Sequence, residues 1–257
     1  MMEEVFMEGR TVVEDAVAKN MPMDGMAMAG GSPAGNVMRV EKTGKVFDFY
    51  NTIDIPALID EVFSDAYEVF SHNISFSPGD VIVDAGANEG VFSIMMAKMF
   101  PDATVIALEP VVNTYKKMVA NMQLNAPISN LKAFNFGLGG ESGYMDMIVS
   151  KDHTGGSSSI ITFVPSDHIR VPVRIVTLDN LFNIAGIDKI KLLKMDIEGM
   201  EYETLYASKS LSKIELFTGE VHINGKLEYR GFRPDGLCNW LGHRVKIIHV
   251  NVCPMAQ

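Results

Sequence analysis

The 257-residue sequence predicts an α/β fold: a doubly wound, mostly parallel sheet with an inserted antiparallel hairpin region and an N-terminal extension. Three observations carry that expectation. Short, wholly apolar, β-branched runs such as Val81-Ile82-Val83 have the composition of strands buried on both faces. Segments with helical spacing alternate with them, and strand–helix–strand alternation implies a parallel sheet with crossover connections. Successive strands end in acidic groups, at Asp84, Glu109, Asp196 with Glu198, and Glu220. In an open α/β sheet the carboxyl ends form the ligand-binding rim.

Taken in order, residues 1–38 read as a flexible leader with eight methionines and a Gly/Ala/Pro/Ser stretch at Gly30–Gly35. No Cys or His accompanies those thioethers, so a copper site is not favoured. Residues 39–257 form the main domain. Ile55–Phe63 is a helical candidate, Tyr67–Phe76 has some strand character, and Pro78-Gly79-Asp80 is a turn signal. The first buried strand, from Val81, runs into a glycine loop and a helix from about Glu89 to Phe100. Thr104–Leu108 is the second strand. Tyr115, Met118, Val119 and Met122 recur at helical spacing, and Leu131–Phe136 is the third strand. Residues 138–176 break the rhythm with glycine pairs and the short strand candidates Tyr144–Val149, Ser159–Phe163 and Val171–Val176, which read as inserted hairpins. Thr177 caps a brief helix. Ile190–Met195 and Ile214–Thr218 are buried strands, a helix interrupted near Pro234 follows, and Val245–Val250 is the last strand.

Composition excludes several classes. A formal charge of −10 without a Lys/Arg cluster argues against nucleic acid as a partner. Lys189, Lys191 and Lys194 read as strand flanks. Two cysteines outside any C-x-x-C pair fit a reducing compartment and give no zinc knuckle. No secretory signal is evident, and the densest apolar run, Val91–Phe100, is half the length a transmembrane segment needs. The expected location is cytoplasmic.

Asp84-x-Gly86-x-x-x-Gly90 is a glycine loop entering a helix N-terminus, where close backbone approach to a ligand is allowed. It lacks the G-x-G-x-x-G spacing, and no Walker A motif occurs. Glu89 at the loop mouth is expected to repel a pyrophosphate and to tolerate a sulfonium. Glu109 lies 25 residues beyond Asp84, about where an acid grips ribose hydroxyls. Two other readings stay open: an NAD(P)-dependent oxidoreductase on a similar sheet, and a non-catalytic cofactor-binding interaction protein.

Val81–Ser93 (VIVDAGANEGVFS), Ala107–Pro110 (ALEP), Thr177-Leu178-Asp179 and Leu193–Glu201 (LKMDIEGME) together resemble the FkbM family of methyltransferases, in that family's order. The resemblance implies a Rossmann-like catalytic domain of strand order 3-2-1-4-5 with a C-terminal hairpin. It implies S-adenosylmethionine as methyl donor and a small-molecule hydroxylated acceptor such as a sugar, glycolipid or natural product. It further implies that Asp84, Gly86 and Asn88, with neighbouring Glu89 and Gly90, meet the methionine end of the cofactor. Glu109 is then expected to hold the ribose, and Asn135, Phe136 and Gly137 to border the adenine. Asp196 and Glu198 are expected to face the methyl group and the acceptor.

An alcohol is a weak nucleophile, and a base within reach typically contributes about 10²–10⁴-fold. The candidates are Asp196, Glu198 and His222, with Glu220 nearby. Glu198 capping the following helix is the alternative structural role. No resident metal is expected, although an ion bridging Asp196 and Glu198 is conceivable.

Overall fold

The computed structural model describes residues 36–64, 69, 74–154 and 164–255. The methionine-rich leader, the strand expected over Ser159–Phe163 and most of Tyr67–Phe76 lie outside them. A hairpin opens the described chain. Strands β1 (Val37–Lys42) and β2 (Lys45–Tyr50) pair antiparallel across Thr43-Gly44, both at positive φ. That backbone matches the twist of a two-residue hairpin. Phe47 and Phe49 alternate inward and are fully buried. Thr-Gly is a weaker turn signal than Asn-Gly, so the hairpin was not legible beforehand. Helix α1 (Ile55–Phe63) follows, with Pro56 in its first turn.

Strand β3 (Val81–Ala85), helix α2 (Val91–Met99), β4 (Thr104–Leu108), α3 (Val112–Leu124) and β5 (Leu131–Phe134) build one half of the main sheet. The inserted region contributes β6 (Gly137–Gly139), β7 (Gly143–Ser150) and β8 (His168–Thr177). The second half comprises α4 (Leu178–Ala185), β9 (Ile190–Met195), α5 (Glu201–Ala207), β10 (Ile214–Ile223), α6 (Gly225–Tyr229), α7 (Pro234–Gly242) and β11 (Lys246–Pro254).

The six-stranded sheet runs β11-β10-β9-β3-β4-β5. Every neighbouring pair in it is parallel. The C-terminal hairpin implied by the family resemblance is therefore not formed by the described residues. The connection through α6 and α7 returns β11 alongside β10 in the same direction. Pro234 does not interrupt one helix but begins the second.

Both faces of the sheet are covered, which explains the unbroken apolar strands. Val83, Ile106 and Leu193 enter one core with α4, α5 and α7, while their neighbours Ile82, Val105 and Leu192 enter the other with α1, α2 and the hairpin phenylalanines. The insertion forms its own three-stranded sheet, β6-β8-β7. β7 and β8 pair antiparallel as expected, but β6 joins β8 in parallel.

The chain winds outward from β3 through β4 to β5, then resumes at β9 on the other side of β3 and winds away to β11. The two halves diverge between β3 and β9. Loops leaving these strands separate there and leave a crevice.

Candidate active site

A cavity opens at that divergence, and Gly86, Ala87, Asn88, Glu109, Lys194, Asp196 and Glu198 line it. Leu58, Glu61 and Val62 of α1 form part of its wall, and Met145, Met147 and Ile175 of the inserted sheet form another part.

The glycine loop is pressed against the loop after β9. Gly86 has φ +81°, and a Cβ there would lie 1.7 Å from the Asp196 carbonyl oxygen. Only glycine permits that approach. The contact is fixed from both sides. Asp196 N donates to Ala85 O at 3.0 Å, and Lys194 Nζ donates to Gly86 O at 3.1 Å.

Asp84 does not line the cavity. It is fully buried beneath the loop, where Ser93 Oγ donates to its Oδ2 at 2.5 Å and Lys194 Nζ stands 3.3 Å from its Oδ1. Lys194 is the residue most misjudged from sequence. It is a buried cation, not a strand flank. Burial alone would lower its pKa, but the Asp84 and Asp196 carboxylates outweigh burial and hold the ammonium above its ordinary value. A lysine one residue from the end of an otherwise apolar stretch, Leu192-Leu193 before it and Met195 after, was the available signal.

Glu89 also departs from expectation. Its buried carboxylate accepts from Thr52 Oγ1 at 2.9 Å and from Lys117 Nζ at 3.0 Å. It is countered by a cation and does not line the cavity, so it gives no reason to exclude a pyrophosphate. Gly90 is a packing glycine, since a Cβ there would meet Met118 Cγ at 2.8 Å.

Glu109 does line the cavity. Its oxygens accept from Asn88 N at 3.0 Å and Val111 N at 2.8 Å. Burial outweighs these bonds and, with the Asp84 charge nearby, pushes the carboxyl up to about 8. Asn88 sits at φ +52°, in the left-handed region that Asn tolerates better than most residues. Its Oδ1 is buried and has no hydrogen-bond partner in the protein. Asn135 ties the end of β5 to the Glu109 and Pro110 carbonyls at 2.9 and 3.0 Å. Phe136 is packed into the core, and Gly137 lines the cavity.

Beyond β9, Glu198 (φ +55°) and Gly199 (φ +99°) form a tight left-handed loop. Glu198 does not cap α5. The loop is instead closed by Glu201, which sequence reasoning missed. Glu201 Oε1 accepts from Ile197 N at 3.1 Å, Gly199 N at 3.2 Å and His222 Nδ1 at 2.9 Å. His222 Nε2 then faces Glu198 at 3.5 Å, Glu220 at 3.7 Å and Asp196 at 3.9 Å. Burial opposes its charged form, but the Glu201 hydrogen bond and the surrounding carboxylates prevail and push His222 up to about 9. Cys253 Sγ donates to Glu220 Oε2 at 2.9 Å.

His153 and His168 fall outside the cavity lining. His153 Nδ1 and Thr154 N contact the Asp54 carboxylate at 2.8 and 2.7 Å, fastening the insertion to the start of α1. His168 pairs with Asp167.

A parallel sheet with its crevice at the divergence of the two halves, a glycine loop after the first strand and an acid after the second define a Rossmann-like, ligand-binding α/β domain. The methyltransferase FkbM domain matches residues 84–244. The chain belongs to this family of methyltransferases. It is 28% identical over 185 residues to methyltransferase sdnD of Sordaria araneosa, covering 60% of this chain and 68% of that one. It is 24% identical over 197 residues to 31-O-demethyl-FK506 methyltransferase FkbM of Streptomyces tacrolimicus, covering 65% and 75% respectively. Among solved structures, P. horikoshii TYW2 in complex with MeSAdo aligns with a TM-score of 0.29 and 24% identity. That alignment covers 39% of this chain and 36% of the other, so it spans about a third of that protein's length. No helix among the described residues is long and apolar enough to cross a membrane.

Proposed function

We propose that this chain moves a methyl group from S-adenosylmethionine to a hydroxyl oxygen of a small-molecule acceptor. The observation that carries the reading is the pair of acceptor groups in the cavity wall: the orphaned, buried Asn88 Oδ1 and the buried Glu109 carboxylate. An unpaired buried acceptor costs about 1–3 kcal/mol, and a ligand donor would remove that cost. The ammonium of the cofactor's methionine end is such a donor. Glu109 keeps lone pairs beyond its two amide bonds, and ribose hydroxyls would take them.

The cofactor, when bound, supplies an electrophilic methyl on a positively charged sulfur. The chain's own contribution is to position and to move a proton. Asp196 and Glu198, in the wall of the same cavity, would receive the acceptor's proton as its oxygen gains the methyl. Glu201 holds His222 behind them. Met145, Met147 and Ile175 supply an apolar part of the cavity wall. One relative's printed name describes methylation of an oxygen on a natural product, FK506, which supports the hydroxyl assignment.

Calorimetry with S-adenosylhomocysteine and with NAD⁺ tests the cofactor. Selective binding of S-adenosylhomocysteine is expected, and preference for NAD⁺ refutes the reading. Transfer of label from methyl-labelled donor to a panel of hydroxylated glycans, lipids and polyketides then tests the acceptor class.

A further inference from the structure

Asp196, Glu198 and Glu220 leave two different strands yet aim their carboxylates at one imidazole nitrogen. Resting on the reading above, we propose that Asp196, Glu198 and His222, with Glu220 beside them, form a divalent-cation site at the acceptor end of the cavity. It would take a hard ion of the Mn²⁺ or Mg²⁺ class. This departs from the sequence expectation of no metal.

Two features support the site. The first is spacing. His222 Nε2 lies 3.5, 3.7 and 3.9 Å from oxygens of Glu198, Glu220 and Asp196. Ligands at about 2.1 Å from an octahedral ion sit about 3.0 Å apart when adjacent and about 4.2 Å when opposite. The observed separations are somewhat wider than those of adjacent ligands, so a small closure of the side chains would bring them onto an ion, and the ligand atoms of Asp196, Glu198 and His222 all lie within 4.8 Å of one another.

The second is orientation. His222 is 5% exposed, and its Nδ1 is bound by Glu201. Glu201 is itself fixed by two backbone amides. A carboxylate on one imidazole nitrogen aims and enriches the other, which is the usual outer support of a metal-bound histidine.

Two carboxylate ligands to one imidazole, with Glu220 beside the histidine, favour a hard cation over a thiophilic one. Cys253 fits as support, since its thiol donates to Glu220 and orients that carboxylate. Seated there, the ion would take the place of the Nε2 proton and face the cavity through Asp196 and Glu198. An acceptor hydroxyl bound to it would lose its proton more readily. An acceptor with two neighbouring oxygens would be held by both.

The test uses full-length protein stripped with chelator and titrated with Mn²⁺ alone, followed by paramagnetic resonance of the free ion. One equivalent is expected to bind. His222→Gln is expected to weaken binding at least tenfold. So is Glu220→Gln, which lies outside the cavity lining and keeps affinity for S-adenosylhomocysteine within about threefold. A folded wild type that binds S-adenosylhomocysteine but no Mn²⁺ overturns the cation site and leaves the methyl-transfer reading standing. Mn²⁺ binding without S-adenosylhomocysteine binding keeps the site and overturns that reading. Unchanged Mn²⁺ affinity in both variants also overturns the site.

Discussion

Replacing Gly86 with alanine tests whether the cavity depends on the contact between the glycine loop and the loop after β9. The added Cβ would sit 1.7 Å from the Asp196 carbonyl oxygen, and real Cβ contacts essentially never fall under 3.0 Å. One loop must therefore retreat by about 1.3 Å, against the anchoring bonds of Asp196 N and Lys194 Nζ. Left-handed backbone at φ +81° adds its own cost, roughly 1–2 kcal/mol for alanine. Overpacking adds about 1–3 kcal/mol, so the sum is about 2–5 kcal/mol. At about 2–4 °C per kcal/mol for a domain of this size, the melting temperature should fall by about 10 °C. Gly79→Ala is the control. Gly79 has φ +89° with nothing within 4 Å of its Cβ, so it carries the backbone strain without the collision. It should lose only a few degrees (about 1–2 kcal/mol) and keep cofactor affinity. Gly86→Ala should lose at least about tenfold in affinity for S-adenosylhomocysteine, because a displacement near 1 Å disorders both walls of the site. Thermal melts and calorimetry on the two variants decide it. Equal melting shifts, or unchanged affinity in Gly86→Ala, refute the account.

Lys194→Met leaves the buried Asp84 carboxylate without its cation, and a loss of about 3–5 kcal/mol in denaturant unfolding is expected. Lys194→Met combined with Asp84→Asn should lose less than the two single variants summed; strict additivity would mean the pair does not interact. Glu109 titrates near 8 in the folded protein and near its ordinary 4.5 when unfolded, so the folded state binds the extra proton between these values. Its contribution to stability is therefore present at low pH and declines as pH rises from about 4.5 through about 8, by at most about 1.4 kcal/mol per pH unit. Unfolding measured from pH 6 to 9 should show that slope flattened in Glu109→Gln, and identical slopes would refute it. Asp54→Ala removes the acceptor of the Thr154 amide, so hydrogen exchange at Thr154 should speed up by about tenfold or more, the equivalent of one lost hydrogen bond. Unchanged exchange there would show that the insertion is held elsewhere.

The parallel core was legible because burial on both faces leaves a mark that periodicity detects. Val81–Val83, Thr104–Leu108 and Ile190–Met195 carry it, and each forms a strand. The rim of acids was legible for the same reason, since polar residues at the ends of apolar runs stand out. The β1–β2 hairpin was not, because Thr43-Gly44 is a weak turn signal and its phenylalanines need the far cores of α1 and α2 to explain them. The last strand was legible too, and the α6–α7 crossover returns it parallel to β10, as strand–helix alternation implies.

The sequence by itself determined the order of the main-sheet strands and the rim on which chemistry-bearing groups would collect, because both follow from local hydrophobic pattern. Only the tertiary structure decided which of those groups face the cavity. Asp84 turns beneath the loop to meet Lys194, and Glu89 turns away to Thr52 and Lys117. Glu201 and His222, 21 residues apart, meet behind Glu198. A buried charge takes its role from the partner that offsets its desolvation, and that partner comes from a distant part of the chain, where no local pattern records it.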